Sequence, residues 1–180
     1  GYKGDVVADA GLYVYNDHAA AFYKNQIHNI SFVSSAELTY NEIKNLSTNT
    51  LLKIYGYQKV MVSANCISGN YCGGCAHKSP QMMDLTDDMG NIFYVRNYCG
   101  ECYNIMYNGV PTSILDRLDL IHDSFTDAYI EFTVEDGEKT NKIMDYIEKN
   151  IIGLDGIEQD NDVHAPIKEY TRGHYFKGIE

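Results

Sequence analysis

All five cysteines of this 180-residue chain fall in one stretch, Ile54 to Asn108: Cys66, Cys72, Cys75, Cys99 and Cys102. Their spacing, C-x5-C-x2-C-x23-C-x2-C, sets two Cys-x-x-Cys turns far enough apart for a β segment between them, the pattern of a four-thiolate metal site. Thiolate softness narrows the metal to zinc or an iron–sulfur cluster, and spacing alone leaves both open. Disulfides or buried free thiols are the competing reading. The odd count and a length sufficient for an ordinary core weigh against staples. A redox dithiol is the third option, but such pairs usually open a helix after a strand.

Composition adds boundaries rather than a function. Hydrophobic residues make up 44% of the chain, ordinary for a globular domain, so one domain over 1–180 is expected, with 54–108 as a cysteine-rich insertion within it. No apolar run approaches the ~18 residues of a membrane span, and a cytoplasmic location is expected. A formal charge of −11 argues against gripping a phosphate backbone, which needs clustered Lys and Arg. The chain opens on Gly-Tyr-Lys-Gly without an initiator methionine, which suggests a piece of a longer protein whose shared site would be incomplete here.

Periodicity orders the rest. Asp5–Tyr15 and Ile30–Ser34 read as strands, and Asn16 caps a helix over Asp17–Asn25. Thr39 with Glu42 forms a capping-box pair opening a second helix. Leu51–Tyr57 and Lys59–Ser63 read as consecutive strands around Gly56, and Asp88–Asn91 as a hairpin before the strand Ile92–Arg96. Ser113 with Asp116 resembles a helix start. Asp127–Val134 alternates apolar and polar positions as a strand, and Asp136 caps a helix over Glu138–Ile152. Alternating strands and helices imply a mainly parallel α/β sheet, here a partial (β/α) barrel of about four β-α units with the cysteine-rich β insertion. A closed barrel needs eight units and ~250 residues. Two open sheet edges would then favour a homodimer, or closure by the cysteine region.

Several stretches carry a family resemblance. They are Ala36-Glu37-Leu38-Thr39, Ile54-Tyr55-Gly56, Val60-Met61-Val62-Ser63, Asn65-Cys66, Leu85 to Phe93, Tyr98 to Asn104, and Tyr170 to Glu180. Together, in this order, they resemble the carboxy-terminal part of longer members of the collagenase-like peptidases, peptidase family U-thirty-two. The resemblance implies proteolysis by a parent enzyme whose remaining barrel half would be the chain's partner. It also admits iron–sulfur-dependent hydroxylation of transfer RNA, ribosomal RNA or a quinone precursor, as in some relatives. A non-catalytic structural or substrate-binding module is the third reading for the chain by itself.

Site expectations follow. Cys99 and Cys102, on the tight Tyr-Cys-Gly-Glu-Cys-Tyr turn, are the firmest metal pair. The resemblance points to Cys75 and Cys66 as the others, while spacing alone favours Cys72 over Cys66. Glu131, in the best-defined strand, and Arg172, in the family-like tail, are the candidate catalytic residues, with a surface carboxylate and a solvated arginine as their ordinary alternatives. No Gly-x-Ser-x-Gly elbow or His-Glu-x-x-His helix is present, and the six histidines are scattered. The chain alone is therefore expected to lack peptidase activity, whether the substrate of the parent is peptide or RNA.

Overall fold

A computed structural model describes residues 3–71, 80–118, 125, 127–151 and 166–177. The first sheet is built on β3 (Thr50–Gly56), a seven-residue apolar strand whose interior is buried on both faces. Parallel to it on one side lie β2 (Ile30–Val33) and then β1 (Val6–Ala8); on the other side β9 (Ala128–Glu131) is also parallel. The β3–β9 register skips a residue between Lys53 and Tyr55, and beyond that bulge β3 also pairs antiparallel with the short β8 (Thr112–Ser113).

The second sheet is wholly antiparallel, in the order β4-β7-β6-β5: β4 (Lys59–Ser63), β7 (Tyr103–Tyr107), β6 (Ile92–Tyr98) and β5 (Gln81–Thr86). Asp87 closes the β5–β6 hairpin, its carboxylate accepting from the Met89 and Asn91 amides. The Asn91 side-chain amide donates to it as well, and these bonds, that one first, favour the ionised form and hold the Asp87 carboxyl below the usual carboxylate range.

Four α-helices lie among the described residues: α1 (Asp17–Lys24), α2 (Tyr40–Lys44), α3 (Ile67–Tyr71) and α4 (Gly137–Ile151). Their starts follow local chemistry. The Asn16 side chain accepts from the Ala19 amide, Thr39 and Glu42 form a full capping box, and Asp136 accepts from the Lys139 amide. Leu52, Ile54 and Tyr55 of β3 pack with Ile143 and Ile147 of α4 and with Tyr175 from the tail into the main core. A smaller core joins β1, β2 and α1 through Ala8, Phe32 and Ala20.

The expected partial (β/α) barrel is not what forms. The chain is a mixed α/β fold with two sheets and no closed barrel. Two physical causes are visible. The cysteine stretch carries enough alternating strand to build a sheet of its own instead of decorating a barrel, and the bulge in β3 turns one of its edges toward an antiparallel partner. The Ser113–Asp116 region, expected to open a helix, supplies that antiparallel strand and then a 3-10 turn over Leu115–Arg117.

Candidate functional site

Three parallel strands end at one place. Asp9 directly follows β1, Gly56 ends β3 and Glu131 ends β9, while Lys59 opens β4 of the second sheet. Ligands of open parallel sheets bind outside the carboxyl ends of the strands. Here that end carries two carboxylates and two ammonium groups. The Lys53 ammonium lies 2.6 Å from Glu131 Oε2, and Lys59 Nζ lies 3.5 Å from Glu131 Oε1 and 3.3 Å from Asp9 Oδ2. Exposure grades outward, from 10% for the Lys53 side chain and 15% for Glu131 to 39% for Lys59 and 57% for Asp9.

Local sequence makes room for this. Lys53 sits inside the apolar run of β3, where a lone charge needs a partner, and Glu131 at the end of the neighbouring strand supplies it. Gly56 adopts φ 152°, and a Cβ there would lie 2.9 Å from both the Glu131 carbonyl oxygen and Lys53 Cε, so glycine permits the approach. Burial pushes the Lys59 ammonium down, but the Glu131 and Asp9 carboxylates outweigh it and hold it above the usual lysine value. Burial first, and then the carboxylates, push the Tyr129 phenol up.

Behind the cluster lies the tail. Tyr175 is buried and donates its hydroxyl to the Lys53 carbonyl at 2.6 Å, and the Tyr40 amide donates to the Tyr175 carbonyl. Thr171 bridges to β8. Arg172, by contrast, stands at the surface. It pairs with Asp116 and lies over the rings of Tyr170 and Phe176, in a cleft of about 470 Å³. No hydrogen bond or ion pair among the described residues joins Arg172 to Glu131, so the two expected catalytic residues occupy separate places.

The thiols stand elsewhere again. Cys66 precedes α3 and accepts from the Gly69 amide at 3.2 Å; Cys99 is buried; Cys102 is exposed and adopts φ 56° on the turn between β6 and β7. Strand register sets them at one end of the second sheet. Ser63 pairs with Asn104, and Asn104 Nδ2 donates to the Asn65 carbonyl at 2.7 Å, tying the Cys66 loop to the strand that follows Cys102. Cys72 and Cys75 lie outside the described residues. Among the described residues no three His, Cys, Asp or Glu side chains stand together as a metal site.

Sequence reading singled out Glu131 and missed Asp9, Lys53 and Lys59. The available signal was a lysine inside Leu-Leu-Lys-Ile-Tyr, which a buried strand tolerates only with a counter-charge. No family model, curated protein or solved structure matches this chain.

Proposed function

We propose that the chain contributes the charged part of a substrate site to an enzyme that hydrolyses peptide bonds. The motif resemblance to collagenase-like peptidases supports the reaction class. The observation that carries the location is the Asp9–Lys59–Glu131–Lys53 cluster at the carboxyl ends of three parallel strands.

In this reading the half-exposed Lys59 ammonium receives the scissile carbonyl oxygen as negative charge develops on it. Asp9, the outermost carboxylate, takes a proton from the attacking water and returns it to the departing amine. Glu131 and Lys53 are positioning residues that fix Lys59 from behind. The test is hydrolysis of a gelatin-derived peptide library by the longest natural polypeptide that carries this chain. Lys59→Gln and Asp9→Asn should each lower cleavage by about a hundredfold or more. Cleavage unchanged in both variants overturns the assignment.

A metal centre on the cysteines is a second reading, favoured by the register that sets Cys66, Cys99 and Cys102 at one sheet end. Asn97 adds to it. Its side-chain amide is buried on the strand face it shares with Val95 and Cys99 and has no hydrogen-bond partner among the described residues. Cys99 and Cys102 would hold the metal with Cys66; bound iron–sulfur would supply redox chemistry and zinc a structural tie. Anaerobic purification with metal and sulfide analysis tests it: iron with sulfide supports a hydroxylation enzyme, zinc a structural site, and no metal overturns it.

A further inference from the structure

Among the described residues β4 is the terminal strand of the second sheet, hydrogen-bonded to β7 on one side. Natural edge strands are usually blunted by charge or proline, yet this edge reads Val60-Met61-Val62, residues 50%, 48% and 66% exposed. The same strand begins at Lys59, the ammonium of the charged cluster, with only Tyr57 and Gln58 between it and the end of β3. A strand edge with no pairing partner among the described residues therefore runs directly out of the candidate site.

We propose that this edge binds an extended peptide by strand addition and delivers it to Lys59 and Asp9. The proposal rests on the hydrolase reading above and names its substrate as a neutral or basic, apolar peptide in β conformation. Three observations favour that occupant. Main-chain pairing needs only an open edge, and its selectivity comes from alternate side chains meeting exposed apolar residues, which Val60 to Val62 supply. Five strand residues span ~17 Å, enough for about five residues of a bound peptide. The chain's charge of −11 repels a second copy or an acidic peptide and attracts a basic one.

The probe is a fluorescein-labelled peptide of alternating valine and threonine with a lysine at each end, measured by anisotropy with the complete natural polypeptide. Two further versions carry N-methyl groups on alternate amides, one on the odd and one on the even set. Only one set can face β4, so one version should bind roughly tenfold or more weakly and the other should bind as the parent peptide does. Val62→Lys should weaken all binding, while Lys59→Gln lowers cleavage by about a hundredfold or more and leaves the discrimination between the two versions intact. Equal binding by both versions, no binding, or a wild-type dimer that Val62→Lys dissociates overturns the proposal. Discrimination without cleavage removes the hydrolase reading alone, and cleavage without discrimination removes the edge alone.

Discussion

Glu131 Oε2 accepts from the Lys53 ammonium at 2.6 Å with both side chains at most 15% exposed, so the two strands that end at the cluster are joined by a charge pair largely shielded from water. Removing one member leaves the other under-compensated. We predict that Glu131→Gln lowers unfolding free energy by about 3 kcal/mol, which makes Glu131 a structural as well as a site residue. Lys53→Met added to it should recover part of the loss in urea titrations. Simply additive losses would show that the pair is not coupled.

Gly56→Ala brings a methyl group against the Glu131 backbone and the Lys53 side chain at a φ of 152°. A cost of about 2–3 kcal/mol is expected from strain alone. Thermal unfolding of the variant checks this, and an unchanged Tm would mean that the backbone yields at this point.

Alkaline pH tests how the tail docks. Burial pushes the Tyr175 phenol from 10.0 up to about 12, with a bond from Ser34 pulling slightly back. The unfolded chain thus loses this proton first, and stability should fall as pH climbs from the unfolded value through the folded one. The contribution is fully present below about pH 10 and is gone by about pH 12, a loss of roughly 2–3 kcal/mol. Tyr175→Phe should cost about 1 kcal/mol near neutral pH for the lost bond to the Lys53 carbonyl, and should flatten the alkaline limb by one proton. An identical slope in wild type and variant contradicts the buried phenol.

The metal reading makes its own demand. Cys99→Ala and Cys102→Ala should each reduce metal bound by anaerobically purified protein, and Asn104→Ala should do so more weakly by releasing the Asn65 carbonyl that steadies the Cys66 loop. Full metal content in all three would leave the thiols as ordinary residues.

What the sequence disclosed was local. The Asn16 cap, the Thr39–Glu42 box and the Asp136 cap each rest on a side chain meeting an amide three residues away. The alternation over Asp127–Val134 needs no partner to be visible, and its first half forms β9, Ala128–Glu131. Hidden features depend on segments far apart in the chain. The pairing of β3 with β8, as of Tyr55 with Ser113, and the bulge beside Ile54, where Lys53 meets Tyr129, join positions far apart in the chain. Tyr175 reaches Lys53 across 122 residues. The site divided the same way: Glu131 stood out within its strand, while Asp9 and Lys59 acquire meaning only where β1, β9 and the second sheet meet. The barrel expectation failed for this reason, since alternation of strand and helix does not reveal which strands pair antiparallel.

Lys59 offers the most direct test of the central claim, because its side chain is 39% exposed and its removal leaves Glu131 paired with Lys53. Peptide hydrolysis and thermal unfolding should be measured together on wild type and Lys59→Gln in the longest natural polypeptide that carries this chain. The account predicts a Tm within a few degrees of wild type and cleavage reduced by about a hundredfold or more. Wild-type cleavage in a correctly folded Lys59→Gln variant would contradict it.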